Sequence, residues 1–123
     1  MSTKTILVTD DEPHMRRLIQ FSLKRTGHTI MQAESGEASL DLINREPIDL
    51  LLIDYGLKGI NGLETIIAAR KLERGQDLPI ILLTARGDTG IKDDAQNIGV
   101  SAFMTKPFSP VELSQLVTEL LES

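Results

Sequence analysis

Three runs of aliphatic residues place the strongest constraint on the fold of this chain. They occupy residues 6–8 (ILV), 50–53 (LLLI) and 79–83 (PIILL). Short runs that are aliphatic throughout, without polar residues in alternate positions, are typical of strands buried on both faces of a parallel sheet. Two shorter or more polar segments, 28–31 (HTIM) and 102–104 (AFM), are candidates for further strands.

Segments with apolar residues at helical spacing separate and follow the five candidate strands. Capping residues, glycines and prolines mark their ends. The predicted helices run from Pro13 to Gly27, from Ser35 to Pro47, from Gly62 to near Gly75, up to Gly99, and from Ser109 onward. The residues predicted to face the core are Met15, Leu18, Ile19, Leu23, Leu40, Ile43, Leu63, Ile66, Ile67, Ile91, Ala95, Ile98, Leu113, Leu116, Val117, Leu120 and Leu121.

Five strand–helix units in succession predict an α/β fold. The expected architecture is a doubly wound sandwich, in which helices cover both faces of a parallel five-stranded sheet. The expected strand order is the flavodoxin-like order 2-1-3-4-5. The 123 residues fit one ordinary domain, and no linker, repeat or low-complexity tract interrupts them.

Composition excludes several classes of function. Asp and Glu number 18 against 13 Lys and Arg, and the net charge of −5 argues against nucleic-acid binding. The absence of cysteine excludes disulfides, cysteine-ligated zinc and thiol catalysis. The N-terminal segment does not resemble a secretory signal, and no apolar run approaches the roughly 18 residues of a membrane span. A cytoplasmic protein without membrane contact is expected.

The residues that end the candidate strands are polar and chemically complementary. The first run ends in Asp10 and Asp11, the second in Asp54, and the third in Thr84, while Lys106 follows the last strand. The carboxyl ends of parallel strands share one edge of the sheet, and ligands bind there where the strand order reverses. In the order 2-1-3-4-5 this point falls between the first and third strands, so the sequence predicts one shared crevice.

Three neighbouring carboxylates must take up protons or hold a cation. An all-oxygen set without His or Cys suits a hard ion, Mg²⁺ or Mn²⁺. Lys106 and Thr84 offer a charge and a hydrogen-bond donor for phosphate oxygens. Together these groups predict a phosphoryl-transfer site. Asp54 stands alone after its strand and is the best candidate for the nucleophile.

Each of these residues has a simpler explanation when it is considered alone. Asp10 and Asp11 could begin and cap the first helix, and Asp54 could be a turn residue. Thr84 could merely end a strand, and Lys106 could be a solvated lysine. These explanations do not account for the joint placement of the residues at four strand ends, which favours the site.

The segments ILVTDDE, LLLIDYGLKGING, PIILLTA and AFMTKPF are similar to the four signature segments of response-regulator receiver domains. The resemblance covers essentially the whole chain, so residues 1–123 would be a single receiver domain without an output domain. It implies that Asp54 accepts a phosphoryl group from a histidine kinase or a histidine phosphotransfer protein. It also implies that Asp10 and Asp11 help to hold Mg²⁺, with Asp11 as a direct ligand and the Gly56 carbonyl as another.

The resemblance further implies roles for residues around the phosphoryl group. Thr84 and Lys106 would bind its oxygens, and Phe103 would be the aromatic switch that moves inward. The fourth helix, fifth strand and fifth helix would form the readout face, and the fourth and fifth helices a possible homodimer interface. The Lys106–Pro107 peptide bond is expected to be cis, as is usual in the family.

Three positions depart from the family pattern. Lys58 occupies a position that is usually proline, so the loop after Asp54 could differ in shape. Gly56 and Arg86 occupy positions that influence how long the phosphoryl group survives. The lifetime is therefore left open.

Three other functions are alternatives to that of a receiver domain. A phosphatase with an aspartate nucleophile would normally carry a second acid at the position of Gly56, and the chain has no room for a cap domain. A flavodoxin-like cofactor binder would need a Ser, Thr or Gly-rich first loop, whereas the Asp-Asp-Glu loop repels phosphate. A degenerate receiver that serves only as a binding module would need a defect, for instance at Lys58 or Gly56.

Overall fold

The computed structural model describes residues 3–85, 88 and 90–122. Within this part of the chain, one sheet contains five parallel strands in the order β2-β1-β3-β4-β5, which confirms the predicted topology. The strands are β1 Thr5–Thr9, β2 Thr29–Ala33, β3 Leu50–Asp54, β4 Ile80–Thr84 and β5 Ala102–Thr105. The helices are α1 Pro13–Leu23, α2 Gly36–Arg45, α3 Gly62–Arg70, α4 Ile91–Asn97 and α5 Pro110–Glu122, with 3₁₀ turns at Lys24–Thr26 and Glu73–Gly75.

Two hydrophobic clusters lie on opposite faces of the sheet, and neighbouring strand residues alternate between them. Leu51 and Ile53 belong to the first cluster, which α2, α3 and α4 cover. Leu50 and Leu52 belong to the second cluster, which α1 and α5 cover. All four side chains are fully buried. The run at 50–53 is aliphatic throughout because both faces of its strand are covered by helices.

The residues predicted to end or cap the helices mostly do so. Ser35 caps α2 by accepting a hydrogen bond from the Ala38 amide at 3.0 Å. Ser109 accepts a hydrogen bond from the Glu112 amide at 3.3 Å at the start of α5. Gly27 has a φ of 75° and closes the 3₁₀ turn after α1. That left-handed conformation favours glycine over residues with a side chain.

Three predictions about the helices are wrong. Leu18 and Ile67 do not face the core, since each is 44% exposed. Both lie at the border between the buried and the exposed side of their helices. The spacing of apolar residues does not show on which side such a position falls. The third helix ends at Arg70, and Gly75 belongs to a separate 3₁₀ turn. The Gly75 amide closes that turn by donating a hydrogen bond to the Leu72 carbonyl at 2.9 Å. Ile98 is half-buried and lies just beyond the end of α4.

The start of α3 is pressed against the end of β3. A Cβ added at Gly62 would lie 2.6 Å from the carbonyl oxygen of Asp54, which is far inside van der Waals contact. The Gly62 amide also donates a hydrogen bond to the Tyr55 carbonyl at 2.8 Å. This close approach fixes the backbone at the carboxyl edge of the sheet.

None of the helices in the described part of the chain has both the length and the apolar character needed to cross a membrane.

Candidate active site

Lys106 joins the ends of β1 and β3 across the carboxyl edge of the sheet. Its Nζ lies 3.1 Å from Oδ2 of Asp10 and 2.9 Å from Oδ1 of Asp54. The Asp10 side chain is fully buried and that of Asp54 is 11% exposed. The Lys106 amide donates to the Thr84 carbonyl at 2.8 Å, which holds the ends of β4 and β5 together. One ammonium therefore connects two carboxylates from segments that are far apart in the sequence.

Asp10 is held by more contacts than any sequence pattern indicates. Its Oδ1 accepts a hydrogen bond from the Glu12 amide at 3.0 Å, while its Oδ2 accepts one from Lys106. Its backbone carbonyl accepts a hydrogen bond from Nη1 of Arg16 at 2.6 Å. Both carboxylate oxygens thus have protein donors. Arg16 was not predictable from the sequence, because no motif or spacing marks a residue that acts through a backbone carbonyl.

Asp11 is half-buried and more available than Asp10. Its Oδ2 accepts a hydrogen bond from the Lys58 amide at 3.3 Å. One carboxylate oxygen from each of Asp10, Asp11 and Glu12 lies within 4.8 Å of the other two. This cluster includes Glu12, which sequence analysis did not select, and it does not include Asp54. Closely spaced carboxylate oxygens fit a hard divalent cation such as Mg²⁺ or Mn²⁺.

The simpler explanation of the acidic segment as a helix cap is not what the structure contains. Glu12 occupies the N-cap position of α1, and no side chain makes a capping hydrogen bond there. The Glu12 carboxylate instead lies 3.3 Å from Nε2 of His14, and both side chains are more than half exposed. The Glu12 carboxylate is therefore not occupied by capping, while that of Asp10 accepts a hydrogen bond from the Glu12 amide.

The remaining predicted residues are placed around the same edge. Thr84 is 4% exposed at the end of β4. A Cβ added at Gly56 would lie 3.6 Å from Oδ2 of Asp54, so a side chain at this position would face the Asp54 carboxylate. Phe103 is half-buried on β5 and packs against the first hydrophobic cluster. The Lys106–Pro107 peptide bond is cis. Arg86 lies outside the described residues.

The site carries more negative charge than its lysine neutralises. Burial raises the pKa of Asp54, and the charges of Asp10 and Asp11 raise it further, against the opposing hydrogen bond and charge of Lys106. For Lys106, burial lowers the pKa, but the hydrogen bonds and charges of Asp54 and Asp10 outweigh burial and leave the pKa raised. Burial is thus the main cause that disfavours the Asp54 carboxylate, whereas the two neighbouring acidic residues favour the Lys106 ammonium.

Asp54→Asn is expected to raise the Tm of the metal-free protein at neutral pH. A carboxyl whose pKa is raised by folding contributes stability below its ordinary pKa, and that stability is lost as pH rises through the folded-state value. Asparagine resembles the protonated form, so the gain should shrink as pH falls towards about 4, the ordinary pKa of Asp. Thermal melts across this range would measure it. Asp41→Asn, which alters an exposed carboxylate paired with Arg45, should give no such gain. An equal or lower Tm for Asp54→Asn would contradict the expectation.

Comparison with known proteins agrees with the fold and identifies the family. The sequence model of the response regulator receiver domain matches residues 6–118. The phosphate regulon transcriptional regulatory protein PhoB of Pseudomonas aeruginosa is 40% identical over 117 residues, which are 92% of this chain and 49% of PhoB. A chemotaxis protein CheY homologue of Campylobacter jejuni is 34% identical over 118 residues, 94% of this chain and 91% of that protein. The chain thus spans about half of the first relative and most of the second.

A solved structure extends the comparison to the site. The receiver domain of the sensor histidine kinase PA1611 from Pseudomonas aeruginosa matches with a TM-score of 0.89 and 25% identity, covering 99% of this chain and 100% of that domain. That domain has a magnesium ion coordinated in its active-site cleft. A parallel sheet of this order with an acidic carboxyl edge defines a receiver-like signalling module. The chain belongs to the response regulator receiver domain family of two-component systems.

Proposed function

We propose that this chain is a phosphorylation-dependent signalling switch in which Asp54 accepts the phosphoryl group. The observation that carries the proposal is the Asp54 carboxylate at the end of β3, with Oδ1 2.9 Å from Lys106 and the acidic cluster beside it. The donor is a phosphohistidine of a sensor histidine kinase or a histidine phosphotransfer protein. A carboxylate oxygen attacks phosphorus, the phosphorus–nitrogen bond breaks, and the electron pair stays on the imidazole.

Asp11, Asp54 and the carbonyl of Gly56 are the groups that would hold Mg²⁺, or Mn²⁺, directly, and Asp10 would help to hold it through its charge and its contacts. When bound, the cation neutralises charge on the phosphoryl oxygens. Both oxygens of Asp10 already have protein donors, so we assign Asp10 the task of holding Lys106 and the loop. Asp11, which is half-buried and has one hydrogen bond, is the better direct ligand.

Thr84 and Lys106 would bind the phosphoryl oxygens, since one offers a hydroxyl and the other an ammonium at the ends of adjacent strands. Movement of Thr84 would then be transmitted to Phe103 along the paired strands β4 and β5, in which Leu82 lies opposite Phe103 and Thr84 lies opposite Thr105. The surface formed by α4, β5 and α5 would carry the signal to an effector, either directly or through a homodimer of α4 and α5. A ligand shifts such an equilibrium only by its preference for one state.

Acetyl phosphate tests this proposal directly. The protein would be incubated with Mg²⁺ and acetyl phosphate, and its intact mass would be followed with time. We expect one added phosphoryl group on the wild type, and none on Asp54→Asn or in the presence of a chelator. The decay of the adduct would give the lifetime that Gly56 and Arg86 leave open. Sustained phosphate release from small esters would instead favour a phosphatase.

Beryllofluoride, which mimics the phosphoryl group, resolves a negative result. If no adduct accumulates but beryllofluoride with Mg²⁺ raises the Tm of the wild type, turnover is faster than sampling. If neither an adduct nor stabilisation is seen, the chain is a degenerate receiver that serves only as a binding module, and the proposal is wrong.

A further inference from the structure

Lys58 contributes its backbone to the acidic cluster. Its N–H donates to Oδ2 of Asp11 at 3.3 Å, across 47 residues of sequence. Proline, which is usual at this position in response-regulator receiver domains, has no N–H and could not make this contact. Among the described residues, no other hydrogen bond runs from the loop after β3 to the loop after β1.

The loop around Lys58 is anchored on both sides, so its amide is held in place. Leu57 is only 6% exposed and packs in the first hydrophobic cluster. Gly59 has a φ of 77°, a left-handed conformation that turns the chain immediately after Lys58. Farther along, the Gly62 amide bonds to the Tyr55 carbonyl at 2.8 Å and closes the base of the loop. The Lys58 side chain itself is exposed.

We propose that the backbone N–H of Lys58 is a positioning group for the Asp11 carboxylate. The inference rests on the proposed function, in which Asp11 is a direct ligand of the divalent cation. A hydrogen bond from an amide restricts the rotation of the carboxylate that accepts it. With Oδ2 held by the loop, the orientation of the Asp11 carboxylate beside the oxygens of Asp10 and Glu12 is fixed. The ammonium of Lys58 has no part in this role.

Proline and alanine at position 58 separate the amide from the side chain. Lys58→Ala keeps the N–H and removes the ammonium, whereas Lys58→Pro removes both. Mg²⁺ would be titrated into the metal-free proteins by calorimetry, with Tm followed in parallel. We expect Lys58→Pro to weaken Mg²⁺ binding by about three- to tenfold, as for the loss of one hydrogen bond to a charged group at a partly exposed site. Lys58→Ala should stay within about twofold of the wild type, as expected for an exposed charge.

Three outcomes overturn the inference. Equal weakening by both substitutions would assign the effect to the ammonium. Unchanged binding in Lys58→Pro would show that the amide does not matter. Failure of the wild type to bind Mg²⁺ would defeat the proposed metal site itself, and this result is distinct from the other two because it appears before any variant is compared.

A second measurement does not depend on the folding of the proline variant. Hydrogen exchange of the Lys58 amide can be followed by NMR in Asp11→Ala and in Glu12→Ala, which removes the neighbouring exposed acid. We expect exchange of this amide to be severalfold faster in Asp11→Ala and unchanged in Glu12→Ala. Equal exchange in Asp11→Ala and the wild type would show that the hydrogen bond does not protect the amide, and would overturn the inference.

Discussion

Replacing Lys106 by Met is expected to lower the free energy of unfolding of the metal-free protein by about 3 kcal/mol at neutral pH. A loss of this size is typical when one partner of a buried ion pair is removed. The Asp10 side chain is fully buried, and the Lys106 side chain is only 18% exposed. Without the ammonium, the acidic side chains of Asp10 and Asp54 lose their shared positive charge in a poorly solvated site. The loss should therefore exceed that of any exposed lysine.

Two conditions should reverse the loss in Lys106→Met. As pH falls, Asp54, whose pKa is raised by burial, takes up a proton, so the deficit relative to the wild type should shrink. Mg²⁺ should stabilise this variant more than it stabilises the wild type, because a bound cation takes over the missing positive charge. Denaturant unfolding at several pH values, with and without Mg²⁺, would measure both effects.

Lys92→Met is the matched control for this experiment, since Lys92 is exposed on α4. Its free energy of unfolding should stay within about 0.5 kcal/mol of the wild type under all conditions. If Lys106→Met were as stable as Lys92→Met without metal, the account of Lys106 as the neutralising charge of the site would be wrong.

Arg70→Ala is expected to lower the free energy of unfolding by about 2–3 kcal/mol, since it leaves several carbonyls without their charged donor. The guanidinium donates to the carbonyls of Ile98 at 3.1 Å and Gly99 at 2.7 Å. It also donates to those of Gly75 at 2.7 Å and Leu78 at 2.8 Å. One side chain at the end of α3 therefore connects the turn before β4 to the turn after α4. Alanine can replace none of these contacts.

Arg45→Ala gives the comparison for Arg70→Ala, because both substitutions truncate an arginine near the end of a helix. The pair of Arg45 with Asp41 lies at 2.9 Å with both side chains more than half exposed, and should contribute no more than about 0.5 kcal/mol. Arg70→Lys should fall between the two, since one ammonium cannot span four carbonyls. Denaturant unfolding would rank the three variants. Equal stability of Arg70→Ala and Arg45→Ala would contradict the expectation that Arg70 stabilises the fold by connecting these two turns.

Some features of this protein followed from residue order alone. The aliphatic run at 50–53 predicted a strand buried on both faces, and parallel topology then placed Asp54 at the same edge as Asp10. The caps at Ser35 and Ser109 were also predictable, because a cap is a contact between residues three apart. In each case the chemistry acts locally or follows from strand direction, so the sequence is sufficient.

Other features depended on which surfaces meet in three dimensions. Ile67 and Leu18 carry apolar side chains at plausible helical positions, yet each is 44% exposed, because nothing in the described part of the chain fully covers that side of its helix. Arg70 reaches carbonyls 28 and 29 residues away, and backbone carbonyls carry no sequence signal.

The candidate site divides in the same way. Its chemical components could be predicted, because residue type and strand direction bring carboxylates and an ammonium to one edge. The assignment of contacts could not, since only the tertiary structure places Lys106 between Asp10 and Asp54, Arg16 on the Asp10 carbonyl and the Lys58 amide on Asp11. Such contacts depend on how closely loops that are separated in the sequence approach one another, and the packing of the helices on the sheet determines this approach.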